Sequence, residues 1–282
     1  LFVGDRFLLT EEAPRNRQHG SVQVECQLPE VVGQLRVGAE IWIDEGKLGT
    51  VVDAVLPEGL LLRVTRAREK GERLQPDKGL NFPGTDLKVN PLTEKDLRDL
   101  DFVAQNADIV GYSFVQEPSD ITRLQQELRL RQQETSHIVG VIAKIETPRA
   151  VRNLPELIVE AAGKQPLGVM IARGDLAVEI GFERLAEIQE EILWVCEAAH
   201  VPVIWATQVL ENFVTTGTPS RAEMTDAAMA ERAECVMLNK GPYQAEAATI
   251  LDHLLTRMHN NQVKKTAQLR ALRMWKQSPG EA

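Results

Sequence analysis

The sequence predicts an α/β chain: a small all-β module over residues 1–88, then about five βα units over residues 89–282. Three observations carry this. Short strand-forming runs broken by turn residues fill the first stretch. From Leu92 the pattern changes to helix and strand in alternation. Polar residues then recur at the ends of apolar runs, at Ser113, Lys144 to Glu146, Arg173 to Asp175, Thr207 and Asn239. Their spacing of about 31 or 32 residues fits one strand, one loop and one helix repeated. Each parallel connection needs a covering helix, so the array reads as part of a (β/α) barrel or as an open parallel sheet. A closed barrel needs about eight units, so about three would be missing.

In the first module the strand runs are FVGDRFLLT, SVQVECQL, EIWIDEG, KLGTVVDAVL and GLLLRVTRA. EIWIDEGKLG alternates apolar and polar residues before a Gly-containing turn, as a half-buried hairpin strand does. Asp44 and Glu45 read as solvated residues at that hairpin tip rather than as ligands. QPDKGLNFPGTDLKVNP, rich in Pro and Gly, reads as the hinge out of the module.

Beyond the hinge, Thr93 with Asp96 has the form of an N-cap and an acidic first turn, opening a helix to about Gln105. ADIVGYSF reads as a buried strand, and Ser119 as the cap of the helix that follows. FERLAEIQEEILWVCEAA predicts an amphipathic helix with Phe182, Leu185, Ile188, Ile192, Val195 and Cys196 along one stripe and Glu187, Glu190 and Glu191 off it. Pro148 and Pro219 sit where a first helical turn would start, where a missing N–H does no harm. The tail from Val263 is basic and partly helical before SPGEA, which reads as disordered.

A net charge of -9 argues against a general nucleic-acid surface and leaves small metabolites as the expected partners. The three cysteines, Cys26, Cys196 and Cys235, lack CxxC spacing and read as buried, inert thiols. No apolar run approaches the roughly 20 residues of a membrane span, and the N-terminus has no signal-peptide pattern, so a cytoplasmic setting is expected. A start at Leu1 rather than Met reads as a piece of a longer chain.

The chemistry gathers in HIVGVIAKIE and LGVMIARGDL. Side chains two apart on a strand point the same way, so Lys144 and Glu146 leave the strand end together, and Asp175 ends the next run. Two carboxylates suit Mg²⁺, which usually takes only one or two from protein and completes its shell with water and substrate oxygens. Lys144 would neutralise charge developing on a phosphoryl or enolate oxygen. Gly174 lets a substrate carboxylate approach the Gly174 and Asp175 amides, or simply permits the turn. Thr207, and with weaker support Ser113, would hydrogen-bond the substrate. The competing readings are an ion-pair network among Lys144, Glu146, Arg173 and Asp175, and a Thr207 satisfied by backbone. His200, at the far end of its strand, reads as structural.

AKIETPRAV, VMIARGDLAVEI, VPVIWATQVLENF, TPSRAEMTDAAMA and ECVMLNKG, in this order and spacing, resemble the pyruvate kinase family from its fourth barrel strand to its eighth. Residues 1–88, closing with KGLNFPG, resemble that family's lid, its B domain. The resemblance implies a partial TIM (β/α) barrel with a small all-β lid, the three earlier units preceding Leu1. It implies phosphoryl transfer between phosphoenolpyruvate and ADP, giving pyruvate and ATP. Glu146 and Asp175 would bind Mg²⁺, with Lys144 and Thr207 catalytic. Gly174, Asp175, Thr207 and Ser113 would hold the substrate, and Lys78 would approach the nucleotide. K⁺ ligands and the arginine for the nucleotide phosphate are expected in the N-terminal part. A homo-oligomer is compatible with the family, although its C-terminal regulatory domain is absent here. Where the family usually reads MLSGETA, this chain has MLNKGPY, which replaces a hydroxyl and an acid around Asn239 and Lys240. Two alternatives follow: a Mg²⁺-dependent lyase acting on oxo-acid enolates, and a relative that binds ligand without catalysis.

Overall fold

The computed structural model describes residues 1–12, 22–132 and 138–262. They form two compact units, residues 1–90 with 178–181, and residues 91–177 with 182 onward. The expectation for the tail from Val263 lies outside the described residues. No described helix is long and apolar enough to cross a membrane.

The smaller unit is built on β1 (Arg6–Thr10), β2 (Gln23–Glu25), β3 (Glu40–Ile43), β4 (Leu48–Leu56), β5 (Gly59–Arg66) and β6 (Leu80–Asn81). Its sheet runs β2-β1-β5-β4-β3-β6, antiparallel except for β1 and β2. Leu60, Leu62 and Val64 of β5 alternate into a core with Phe7, Ile41 and Ile43, as period-two burial requires. A one-turn helix, α1 (Pro29–Val32), and β6 lie in stretches that the sequence reads as loop. The predicted β3–β4 hairpin forms, with Ile43 opposite Leu48. Asp44 and Glu45 turn it with φ of 56° and 53°. Asp44 is more than a solvated tip, because it pairs with Lys47 at 3.1 Å and Lys78 at 3.0 Å. Gly59 follows the β4–β5 turn at φ 143°, where an added Cβ would lie 2.2 Å from the Leu9 carbonyl oxygen.

The larger unit alternates strand and helix. α2 (Glu94–Asn106) precedes β7 (Ile109–Tyr112), α3 (Pro118–Arg131), β8 (Gly140–Ile145), α4 (Pro148–Arg152) and α5 (Leu154–Ala161). Then come β9 (Leu167–Ala172), α6 (Arg173–Ile180), α7 (Phe182–Ala198), β10 (Val203–Val209), α8 (Glu211–Thr216), α9 (Arg221–Met229), β11 (Cys235–Leu238) and α10 (Gln244–Gln262). The five strands are parallel and ordered β11-β10-β9-β8-β7, an open arc of a (β/α) barrel. Alternation along β8 buries Val141, Ala143 and Ile145 and leaves Ile142 and Lys144 half-buried on the opposite face.

Several local expectations change. ADIVGYSF is an edge strand, not a buried one: among the described residues β7 pairs only with β8, and Ile109 is 61% exposed. The same edge geometry leaves Cys235 of β11 exposed, while Cys26 and Cys196 are buried as expected. Burial pushes the Cys196 thiol up to about 12. Thr93 caps α2 in a reciprocal capping box with Asp96, but α3 is capped by Glu117 rather than Ser119. The carboxylate of Asp120 takes the Gln116 and Glu117 N–H groups at 2.9 and 2.8 Å, which sets that start. Pro148 opens α4, whereas Pro219 lies just outside α9, which Ser220 caps. On α7 Ile188, Ile192 and Cys196 are buried, but so is Glu191, and Phe182 at the helix start is exposed.

Candidate active site at the strand ends

At the C-terminal end of β8 the chain leaves the sheet through Lys144, Ile145 and Glu146, and the alternation puts Lys144 and Glu146 on one side. Glu146 is 1% exposed. Its Oε1 lies 2.7 Å from Lys144 Nζ, and its Oε2 accepts the Phe114 N–H at 2.5 Å. Phe114, just past β7, is left-handed at φ 52°. Lys144 Nζ also donates to Ser113 Oγ at 2.7 Å, so one ammonium joins the ends of two adjacent strands.

Burial is the main force on the Glu146 carboxyl and lifts it above its ordinary range, against the pull of Lys144 and the Phe114 N–H. The Asp175 charge adds to that rise. A group that resists ionisation beside a second carboxylate is stabilised by a cation. Among the described residues no cluster of three or more His, Cys, Asp or Glu is placed to hold a metal. Glu146 with Asp175, whose charge it feels, makes a hard two-carboxylate donor pair of the kind that could hold Mg²⁺.

β9 lies beside β8 and ends at Ala172, so α6 starts one step away, with Gly174 and Asp175 in its first turn, where a negative side chain is favoured. The Gly174 N–H is not vacant for an anion: it is donated to Thr207 Oγ1 at 2.8 Å. Thr207, in β10, has φ 66°, and its neighbours Gln208 and Leu210 have φ 55° and 50°. A β-branched residue in this region costs about 1–3 kcal/mol and persists only where its surroundings hold it.

Arg173 does not join Lys144 and Glu146 in one ion-pair network. Its Nη1 pairs with Asp226 Oδ1 at 2.5 Å, and its Nε and Nη2 donate to the Ala206 and Thr207 carbonyls at 3.0 and 2.6 Å. The guanidinium stacks 4.7 Å from the Trp205 ring centre. Asn239, at the end of β11, accepts the Gln208 N–H through Oδ1 at 3.2 Å. Lys78 lies in the smaller unit, paired with Asp44. His200 precedes β10 at the opposite end from Thr207.

Sequence reasoning missed the Phe114 N–H, because a backbone donor has no side-chain signature. It also missed Asp226, which lies mid-helix and 53 residues from Arg173. The left-handed Phe114 and Thr207 give no hint in composition, since neither is a residue type that favours φ > 0.

The family model described as "Pyruvate kinase, barrel domain" matches residues 1–248. The chain belongs to the pyruvate kinase family. The family match takes in the β-rich residues 1–90 as well as the five parallel strands. Pyruvate kinase PKLR of Homo sapiens is 35% identical over 265 residues, covering 91% of this chain and 44% of its own length. Pyruvate kinase of Methylorubrum extorquens is 36% identical over 233 residues, covering 80% and 45%. Pyruvate kinase of Dictyostelium discoideum is 32% identical over 260 residues, covering 89% and 48%. The chain thus spans less than half the length of these pyruvate kinases.

Proposed function

We propose that this chain supplies the lid and the later barrel strands of a phosphotransferase that moves a phosphoryl group between phosphoenolpyruvate and ADP with Mg²⁺. The observation that carries the reading is the buried Glu146 carboxylate, raised by desolvation and by the Asp175 charge, beside Lys144. When bound, Mg²⁺ neutralises phosphoryl and enolate oxygens. K⁺ enters through family likeness alone.

Glu146 and Asp175 would hold the metal. Lys144, 27% exposed and fixed by Glu146 and Ser113, presents a positive charge to the transferring group without reorganising. Thr207 accepts from Gly174, and its own O–H is by its chemistry a donor toward the substrate. A substrate carboxylate binding at the Gly174 N–H would displace Thr207 Oγ1 as that group's partner. The strand-end loops would exclude water during transfer with the β-rich unit as a lid, and Lys78 of that unit would serve the nucleotide.

The test is pyruvate formation from phosphoenolpyruvate and ADP by the full-length protein, repeated with Glu146→Gln. The expected result is activity that falls at least a hundredfold in the variant, as loss of a metal-holding charge should produce. An active wild type whose rate survives Glu146→Gln removes the metal assignment. Cleavage of an oxo-acid without nucleotide would favour the lyase. Nucleotide binding without turnover would favour a non-catalytic relative.

A further inference from the structure

We propose that Arg173, oriented by Asp226, is a positioning residue that holds Thr207 in its left-handed conformation and so aims the Thr207 hydroxyl at the first turn of α6. The inference rests on the reading that Thr207 meets the substrate. It goes beyond that reading by naming what keeps Thr207 in place.

The end of β10 is irregular. Its pairing with β11 slips between Trp205 and Val209, and Thr207, Gln208 and Leu210 are all left-handed. Thr207 is the least suited of these, because its branched Cβ crowds the backbone at positive φ. Such a conformation has to be imposed from outside. Arg173 is 5% exposed and supplies the restraint: its planar fork grips the carbonyls of Ala206 and Thr207, its flat face lies on Trp205, and its Nη1 is held by Asp226. A lysine has no such fork.

Arg173 also immediately precedes Gly174, whose N–H meets Thr207 Oγ1. One residue therefore fixes both sides of that contact. On the other flank, Asn239 Oδ1 takes the Gln208 N–H. Misplacing a group by about 1 Å at a reacting centre is enough to slow chemistry substantially.

The test uses the full-length protein with Asp226→Asn, Arg173→Lys and Thr207→Ala, and Asp226→Asn combined with Thr207→Ala. In crystal structures of the first two, Thr207 should leave positive φ and its hydroxyl should move beyond about 3.5 Å from the Gly174 nitrogen. In the phosphoryl-transfer assay Asp226→Asn should lower kcat about tenfold with KM for phosphoenolpyruvate within about twofold, and should cost nothing further on Thr207→Ala. Thr207 unmoved in the variants overturns the proposal, and so does an equal Asp226→Asn loss with and without the Thr207 hydroxyl. A wild type that transfers no phosphoryl group, but whose Thr207 moves in Asp226→Asn, overturns the activity reading and leaves the positioning role standing. Should Arg173→Lys not fold, the part-exposed Asp226→Asn carries both measurements.

Discussion

Lys144 Nζ lies 2.7 Å from Glu146 Oε1, and the acid is almost wholly buried while the ammonium keeps 27% of its side-chain surface. The pair is therefore asymmetric: Glu146 depends on Lys144 far more than Lys144 depends on Glu146. Lys144→Met should destabilise the protein at pH 7.5 by about 2–3 kcal/mol, somewhat below the loss for a wholly buried pair. Urea unfolding checks this, and a loss that does not shrink at acid pH, where Glu146 can take a proton, would contradict it.

Glu146 has a second, pH-dependent signature. Its folded-state pKa is raised above the ordinary 4.5, so its contribution to stability is fully present below 4.5 and is lost as pH rises through the folded value. Without metal, the melting temperature of Glu146→Gln relative to wild type should therefore climb as pH is raised from 4.5 to neutrality. Added Mg²⁺ should stabilise wild type and leave the variant unmoved. Calorimetry with and without a chelator reads both effects, and parallel pH curves for the two proteins would refute the first.

Gly241 should tolerate no side chain. An added Cβ would lie 2.3 Å from the Val214 carbonyl oxygen and 2.6 Å from Val214 Cγ1, between α8 and the loop that leads into α10. Gly241→Ala should cost about 1–3 kcal/mol by overpacking. A chemical melt of the variant overlying wild type would show that the loop can retreat.

The margins of the parallel sheet make a third kind of prediction. Among the described residues β7 and β11 each have one strand neighbour, and Ile109 on β7 is 61% exposed. Unpaired ladder groups recruit strands from other molecules. Residues 1–282 expressed alone should associate with rising concentration, and Ile109→Lys should weaken that association. Sedimentation velocity decides it, with a concentration-independent monomer as the contrary result.

The parallel order of β7 to β11 was legible because apolar runs and strand-end polar residues repeat at one period, which only a βα succession produces. Thr93 and Asp96 were legible for a similar reason, since a capping box is written in side chains at fixed spacing. Ile109 and Cys235 were misread because edge position depends on which strands are neighbours, and local hydropathy does not record it. Glu191 was misread because a wheel places it off the apolar stripe, whereas the packing around α7 buries more than that stripe. The partnership of Arg173 with Asp226 in place of Glu146 could not be read at all: it is decided by where α9 lands beside the end of β10.

In the larger unit every strand lies against its immediate predecessor and successor along the chain, from β7 through to β11. Each new pairing needs only the closure of one short helical excursion, so the array can be laid down in the order in which a ribosome would deliver it. Among these five described strands no pairing has to wait for a distant one, and β11, the latest of the five in the chain, completes the setting of Gln208 through Asn239.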